Sequence, residues 1–319
     1  MLAHIMEPNL GLQNYVASRG RADAFFFRGT KVTPELTAHL WFARNEYIFS
    51  LQPAADGSVF FAKEEAPFNG QYGETRYSQG SGHKESPLAK NLTGWAGERF
   101  AAATLRDWRL YHFHDTSAQA AVMRVQNVAD NERLRGDAGN LAPFLLKLRE
   151  SHRNVYDFIV SEIRNVAPFF GDFVLDPLDS EGLQTQLRWR ERYSDLVYYP
   201  NQFSDGTLRF ICLATLLLQP MPPSTLIIDE PELGLHPFAI AMVSALFKLA
   251  SDRCQLIVST QSAPLVDSLD VEDLIVVNRE EGESTLQRLE KARLQHWLEE
   301  YSLGDLVKKN VIEAGPANA

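Results

Sequence analysis

Cysteine and long apolar runs are both scarce in this 319-residue chain. Only two cysteines occur, Cys212 and Cys254, and both sit in apolar segments, so they are interpreted as small core residues of a protein kept in a reducing compartment. No apolar run approaches the roughly 18 residues that a membrane-spanning helix needs. The N-terminus has no basic region followed by an apolar stretch. These absences predict a cytoplasmic protein with no membrane partner.

Positive charge is also in short supply. The formal net charge is −10, which excludes a protein whose whole surface binds nucleic acid but leaves room for a local basic patch. The segment LRWRERY places Arg188, Arg190 and Arg192 on one face of a strand. That face is either a DNA-contacting patch or simply the solvated side of a half-exposed strand. The hydrophobic share of 45% is enough to build a sizeable core.

The first half of the chain predicts antiparallel strands followed by helices. Residues 36–53 read as a hairpin that turns at Asn45-Glu46, and a second hairpin turns at Asp56-Gly57. Residues 69–86 are rich in Gly, Ser and Tyr, which predicts a loop. Apolar residues recur at helical spacing over 140–170, and strand-like pieces follow at 173–178 and 183–199.

The last third predicts a parallel sheet and therefore an α/β fold. Short apolar runs at 225–229, 255–259 and 274–277 alternate with helical segments, the pattern of strands buried on both faces. Asp229 and Glu230 end the first strand, and Thr260 and Gln261 follow the second. Because the carboxyl ends of parallel strands share one edge of the sheet, these two pairs are expected to be neighbours at the place where ligands usually bind.

A buried helix precedes these strands. Residues 208–218 are apolar nearly all round, Ser204 or Asp205 is a natural N-cap, and Gly206 leaves the backbone open. An exposed helix N-terminus of this kind favours phosphate, because its free N–H groups and its dipole both attract an anion. The alternative is an ordinary capped core helix without a ligand.

The segment YHFHD carries the two histidines that are closest together in the sequence. On a strand, His112 and His114 would share one face, while Asp115 would point to the other. The pair is either part of a metal site or a solvated strand face.

The order of these motifs resembles the nucleotide-binding heads of ABC-class ATPases. FSDGTLR looks like their signature motif, TLIIDEPELGLHP like the Walker B strand with its D-loop, and QLIVSTQSAPLVDSL like the switch strand. The resemblance is to the RecF/SMC-like and OLD-like predicted ATPases of the AAA family. It is strong over about 196–312, including the tail WLEEYSLGDLVKKNVI, and weaker in LQNYVASRGRADAFFFRG and WRLYHFHD. It implies an ABC-type P-loop NTPase head with a β-rich front lobe (1–115), a helical insertion (116–172) and a C-terminal ATPase lobe (173–319).

The resemblance also implies catalytic roles. Asp229 would hold Mg²⁺ through water, and Glu230 would polarise the attacking water. Gln261 stands at the switch position, where most ABC proteins have histidine; a glutamine can hydrogen-bond a phosphate or water but cannot become a cation.

The remaining roles concern a second subunit. Ser204 and Gly206, with their neighbours Asp205 and Thr207 at the helix N-terminus, would contact the γ-phosphate of ATP held by the other chain of an ATP-dependent homodimer. His236 occupies a D-loop position that often has aspartate. DNA or an adjacent effector protein would be a further partner, in DNA maintenance or phage defence.

One expected motif is missing. A Walker A phosphate loop needs Gly, four residues, then Gly-Lys-Ser/Thr between a strand and a helix. The nearest match is GSGHKES (80–86), where Lys84 follows histidine and Glu85 stands in place of Ser/Thr. The expectation is therefore a chain that lacks its N-terminal Walker A segment through a truncated gene, a misplaced start codon or fragmentation, and that is inactive alone. The alternative is a non-catalytic interaction module or remnant.

Overall fold

The computed structural model describes residues 1–6, 11–70, 73–90, 95–309 and 312. The chain forms two compact units, Met1–Trp108 and Arg109–Ala319. The three-part division expected from the sequence stays a prediction. Across the described ranges, no helix combines the length and the apolar character that crossing a membrane requires.

The first unit is built mainly from antiparallel strands. Its sheet has the order β5-β4-β2-β3-β6, and β1 pairs with β2 outside that path. Its elements are α1 (Leu2–Ile5), α2 (Gly11–Ser18), β1 (Leu36–Phe42), β2 (Asn45–Pro53), β3 (Val59–Glu65), β4 (Phe68–Gly70), β5 (Gly73–Thr75), β6 (Ser78–Gly80) and α3 (Ala96–Asp107).

Both predicted hairpins are confirmed, with one turn displaced. The β1–β2 turn lies at Ala43 and Arg44 rather than at Asn45-Glu46, since Phe42 pairs with Asn45 and Ala43 takes a left-handed φ of 56°. The β2–β3 turn uses Gly57 at φ 80°, and a carboxylate oxygen of Asp56 accepts the Ser58 N–H at 2.9 Å. This Asx-type contact is the turn chemistry that the Asp-Gly pair predicts.

The prediction of a loop over 69–86 is correct for 81–86 and wrong for most of the residues that the structure describes before them. Strands β4, β5 and β6 lie in this stretch and extend the sheet at both edges. Each is only three residues long, so its hydrophobic pattern is too short to reveal a period of two.

A buried carboxylate lies in the first unit. The Glu64 side chain is fully buried on β3, and one of its oxygens, Oε1, accepts hydrogen bonds from both the Tyr47 hydroxyl at 2.7 Å and the Ser86 hydroxyl at 2.5 Å. The ring of His83 reaches the other carboxylate oxygen at 2.5 Å. Burial is the main cause that raises the pKa of Tyr47 well above its ordinary value, and the Glu64 charge adds to it.

The second unit alternates strands and helices. Its elements are β7 (Trp108–Tyr111, which begins at the boundary), β8 (Gln126–Asn127), α4 (Leu141–Ser151), α5 (Arg153–Val166), β9 (Phe170–Val174), β10 (Gln184–Thr185), β11 (Arg188–Glu191), β12 (Val197–Tyr198), α6 (Asp205–Leu218), β13 (Thr225–Asp229), α7 (Pro237–Ser251), β14 (Gln255–Ser259), α8 (Ala263–Val266), β15 (Ile275–Glu280), β16 (Glu283–Arg288), α9 (Lys291–Leu298) and α10 (Leu303–Lys308). The helices α4 and α5 confirm the helical interpretation of 140–170.

The central sheet of this unit has the order β14-β13-β7. Strands β13 and β14 are parallel, in a register that sets Thr225 opposite Gln255 and Asp229 opposite Ser259. The helix α6 packs against both α5 and α7, and most of its residues are buried. The parallel pair predicted from two of the three apolar runs is thus confirmed.

The third apolar run is not part of that sheet as the structure describes it. Strand β15 pairs antiparallel with β16 in a two-stranded sheet of their own. The chain reverses at Glu281 (φ 50°) and Gly282 (φ 90°), a pair of left-handed residues typical of a two-residue hairpin. The exposure of β15 alternates, with Ile275 and Val277 largely exposed, so it is not a strand buried on both faces. Strand β14 alternates in the same way, with Ile257 44% exposed, so the expectation of burial on both faces is wrong for that strand too.

The arginines of LRWRERY lie on and just beyond a half-exposed strand. In β11, Trp189 is buried while Arg190 is exposed, and a guanidinium nitrogen of Arg188 donates to the carbonyl oxygen of Asp176 at 2.6 Å. Part of the positive charge on this face is therefore used within the chain.

Candidate functional site

Strand β13 delivers two carboxylates to the edge of the parallel sheet. Asp229 ends the strand opposite Ser259, whose hydroxyl donates to one of its carboxylate oxygens. The side chain of Asp229 is 41% exposed, so solvent or a ligand can reach it. The next residue, Glu230, donates its N–H to the Ser259 carbonyl at 3.0 Å and takes a left-handed φ of 43°. Such a conformation is uncommon for a residue with a side chain and turns the chain sharply away from the strand.

Glu230 belongs to a cluster of polar side chains from the two strand ends. The hydroxyl of Thr260 donates to Glu232 Oε1 at 2.5 Å, and the Gln261 N–H reaches the same oxygen at 3.3 Å. Burial raises the pKa of Glu230, the adjacent Glu232 carboxyl raises it further, and a hydrogen bond with Gln261 opposes the shift. Glu230 and Gln261 are therefore neighbours, as the parallel strands predicted.

The N-terminus of α6 is exposed and capped as expected. Ser204 is the N-cap, and its hydroxyl accepts the Thr207 N–H at 3.2 Å. Ser204 and Asp205 are both exposed. The capping contact satisfies one of the free N–H groups that begin a helix.

The loop after β13 packs directly against this helix N-terminus. A Cβ atom on Gly206 would lie 2.5 Å from the carbonyl oxygen of Gly234, so only glycine permits the close approach. Gly234 itself has a φ of 73°. Further along the loop, His236 is the N-cap of α7, its ring nitrogen accepting the Phe238 N–H at 3.3 Å. Its predicted nucleotide contact stays a prediction.

Arg209 is a residue of this region that the sequence interpretation missed. Its guanidinium donates to the carbonyl oxygens of Phe113 at 3.1 Å, His114 at 2.9 Å and Leu233 at 2.8 Å. A single side chain of α6 therefore forms hydrogen bonds with both the segment after β7 and the loop after β13. The available signal was a single arginine within an otherwise apolar helical run, where a buried charge needs partners.

The two histidines lie beside Asp229 and not on a strand face. Strand β7 ends at Tyr111, so the expected strand geometry for YHFHD is wrong beyond that residue. His114 Nε2 lies 2.9 Å from the carbonyl oxygen of Asp229, and His112 Nδ1 lies 3.5 Å from a carboxylate oxygen of Asp229. The carboxylate of Asp115 instead accepts a hydrogen bond from the Ser117 N–H at 3.0 Å. The carboxylate that faces the histidines thus comes from β13, 115 residues away from His114.

Replacing Arg209 by methionine is expected to loosen both segments that it holds. Arg209→Met keeps most of the stem but removes the three donors, leaving carbonyls at Phe113, His114 and Leu233 without that partner. We expect amides in 112–116 and 232–236 to exchange hydrogen faster, by about tenfold or more, since a loss of 1–3 kcal/mol lowers local protection by that order. Hydrogen-exchange mass spectrometry measures this.

The matched control is Arg190→Met, because Arg190 is exposed on β11. It should leave exchange in both segments unchanged. Unaltered protection in the Arg209→Met protein would show that the segments are held by other contacts.

Comparison with known proteins agrees with this architecture. A family model described as "AAA domain, putative AbiEii toxin, Type IV TA system" matches residues 22–268. No curated protein matches significantly.

Solved structures similar to this chain are heads of SMC proteins. An SMC head bound to the C-terminal winged-helix domain of ScpA is 16% identical, with 92% of this chain and 86% of that chain covered and a TM-score of 0.56. A Pyrococcus furiosus SMC head with an extended coiled coil is 13% identical, with 94% and 88% covered and a TM-score of 0.46. The Thermotoga maritima SMC head domain is 13% identical, with 78% and 75% covered and a TM-score of 0.36. The first of these likenesses identifies the fold as that of an ABC-type ATPase head.

Proposed function

Because the chain belongs to the AAA-domain family of the putative AbiEii toxin type, we propose that it is an ATP-binding and ATP-hydrolysing switch of the ABC/SMC-like class. The observation that carries the proposal is the arrangement at the end of β13. Asp229 and Glu230 lie beside Gln261 at one sheet edge, and Arg209 links this edge to the α6 helix. Acids at the carboxyl end of a buried parallel strand are well placed to act on a phosphate and its metal.

The residues at this edge fit Mg²⁺ and an attacking water. The carboxylate of Asp229 is partly exposed and held by the Ser259 hydroxyl, and a hard oxygen ligand of this kind suits Mg²⁺. When bound, that ion would neutralise developing phosphate charge. Glu230 would accept the proton of the water, a role suited to a carboxyl whose pKa is raised by burial and by the neighbouring Glu232. Gln261 would orient the same water or a phosphate oxygen by hydrogen bonding.

The N-terminus of α6 supports a site shared between two chains. Ser204 and Asp205 are exposed there, and the first-turn N–H groups of Asp205 and Gly206 belong to a helix end that attracts anions, while the Thr207 N–H donates to the Ser204 hydroxyl. We assign this end, with His236 of the neighbouring loop, to the γ-phosphate of ATP held by a second copy. The working form would then be an ATP-dependent homodimer.

The sequence itself contains no Gly-x₄-Gly-Lys-Ser/Thr motif. The nearest segment, 80–86, leads from β6 into a short 3₁₀ turn at Pro87–Ala89, and Lys84 pairs with Asp56 at 2.6 Å. Its context is therefore not the strand–loop–helix that a phosphate loop needs. Hydrolysis should depend on a Walker A segment supplied in addition to these residues.

A direct test compares the chain as given with an extended protein. The extended protein is this chain preceded by an apolar strand, a Walker A loop and a helix. We expect the chain as given to hydrolyse ATP at background rate, since its sequence lacks the motif that supplies the N–H cradle and lysine. The extended protein should show Mg²⁺-dependent turnover that falls about 10²- to 10⁴-fold in Glu230→Gln, the usual worth of a general base. Phosphate release measures both.

Two results would contradict the proposal in different ways. Turnover by the chain as given, abolished by Glu230→Gln, would mean that the phosphates are held without a Walker A loop. Undiminished turnover in the extended Glu230→Gln protein would remove Glu230 from the chemistry.

The biological setting that we propose is DNA maintenance or phage defence. The description of the matched family names a toxin of a type IV toxin–antitoxin system, and an SMC head of similar fold was solved with a winged-helix domain of ScpA. These descriptions support an adjacent effector protein or DNA as the partner that reads the ATP state. The exposed Arg190 and Arg192 are available for a phosphate backbone.

A further inference from the structure

We propose that His112, His114 and Asp229 form a binding site for one divalent transition-metal ion of the Mn²⁺, Co²⁺ or Zn²⁺ class. One ligand atom from each of the three side chains lies within 4.8 Å of the other two. The histidines follow β7 and the aspartate ends β13, so adjacent strands of one sheet deliver all three. Their placement therefore depends on the fold and not on a single flexible loop.

The distance between two of the ligand atoms matches the spacing of ligand atoms around one bound ion. Bonds of about 2.0–2.2 Å to nitrogen or oxygen bring ligand atoms to roughly 3–3.5 Å of each other around an ion. The gap of 3.5 Å between His112 Nδ1 and the Asp229 carboxylate already has that size. The His112 side chain is 48% exposed and that of Asp229 is 41% exposed, which gives an ion access from solvent. The Ser259 hydroxyl holds the other carboxylate oxygen of Asp229, so the oxygen that faces His112 is already oriented.

Hydrogen bonds around the site determine which imidazole nitrogen of His114 carries the proton and hold the backbone of both histidines. A carbonyl oxygen can only accept, so the contact of 2.9 Å between His114 Nε2 and the Asp229 carbonyl places the proton on Nε2. In the neutral ring the lone pair then belongs to Nδ1. A ligand histidine fixed through its other nitrogen by a backbone carbonyl is the usual arrangement at protein metal sites. The backbone is held as well, by His112 N–H donating to the Gly136 carbonyl at 3.0 Å and by Arg209 on the carbonyl of His114.

The ligand set determines which ions fit. Mg²⁺ prefers oxygen ligands and retains its waters, whereas imidazole suits Mn²⁺, Co²⁺, Zn²⁺ and similar ions. Two histidines and one carboxylate also leave coordination positions open for water or for a phosphate oxygen. The site stands on these three side chains alone. Only its use by a nucleotide phosphate rests on the proposed function, where the same Asp229 serves Mg²⁺.

The test is a Co²⁺ titration of the chain as given, without nucleotide, followed by visible absorption. We expect one Co²⁺ per chain, and an affinity at least about tenfold lower in His112→Ala and in His114→Ala, since even outer-shell changes cost that much. His296→Ala is the matched control, because His296 is an exposed histidine on α9, and it should bind as the unchanged protein does. Mg²⁺ in large excess should not displace the Co²⁺.

A second measurement needs no substitution and so does not depend on a variant folding. Substoichiometric Mn²⁺ should broaden the imidazole proton signals of two of the eight histidines before the other six. Equal Co²⁺ affinity in both alanine variants, broadening of other histidines first, or displacement by equimolar Mg²⁺ would each overturn the site. Co²⁺ binding with no ATP hydrolysis in the extended protein would refute the proposed function and leave this metal site intact. ATP hydrolysis without Co²⁺ binding would refute the metal site and leave the proposed function intact.

Discussion

With ATP and Mg²⁺, the extended protein carrying Glu230→Gln is expected to accumulate as a dimer, whereas the extended protein carrying Ser204→Arg is expected to stay monomeric. Glutamine keeps the shape of the protonated carboxyl but cannot take a proton from water, so nucleotide binds and is not consumed. Arginine at the exposed N-cap of α6 would fill the space where the opposing γ-phosphate must approach. Nucleotide binding to each single chain should be nearly unchanged, because Ser204 would contact only the other chain's ATP.

Light scattering with and without ATP measures the two states. The control is Ser284→Arg, which adds the same charge at an exposed serine on β16 and should leave ATP-driven dimerisation intact. If the Ser204→Arg protein dimerises as fully as the Glu230→Gln protein, the FSDGTLR segment is only a capped core helix and the shared site does not exist.

Glu64→Ala is expected to destabilise the first unit by roughly 3–5 kcal/mol, since each buried hydroxyl donor left without its acceptor costs about 1–3 kcal/mol. The carboxylate is fully buried, and its removal leaves the Tyr47 and Ser86 hydroxyls and the His83 ring without their shared acceptor. It also opens a cavity on β3. Glu64→Gln should cost less, since an amide oxygen can still accept from Tyr47 and Ser86. Urea unfolding, followed by fluorescence, measures the loss as a lower midpoint.

Lys84→Ala is the control for this prediction. It removes an ion pair with Asp56 whose two side chains are 50% and 60% exposed, so little change in the midpoint is expected. A midpoint for Glu64→Ala that matches that of Lys84→Ala would mean that the buried network contributes no net stability.

The parts of the fold that the sequence predicted are those with a strong local pattern. Continuous apolar runs marked β13 and β14, although β14 is not buried on both faces, and serine before a helical run marked the start of α6. Asp229 and Gln261 could be placed at one edge because parallel strands leave no other arrangement. The third run, by contrast, is as apolar in its sequence as the other two. Its hairpin with β16 depends on the turn at Glu281-Gly282, a weaker signal than the run itself.

What the sequence could not predict is contact between distant segments. No feature of the sequence near YHFHD predicts that Asp229 lies beside His112, because the two residues come together only when β7 pairs with β13. The close packing of Gly206 against Gly234 is also a tertiary contact, which the presence of two glycines in the sequence does not predict. Arg209 could be singled out as unusual in its helix, but its three carbonyl partners could not.

The contacts of Arg209 make the α6 helix and the histidine segment parts of one mechanical linkage. The guanidinium holds the carbonyl of His114 and that of Leu233 at the same time, so a shift of either segment changes its geometry towards the other. If a bound ion favoured one position of these segments, it would change the affinity of the helix end for an anion, and the anion would then change the affinity for the ion by the same factor. Such reciprocity would make a metal ion a regulator of assembly as well as a participant in chemistry, and it would be lost with that one side chain.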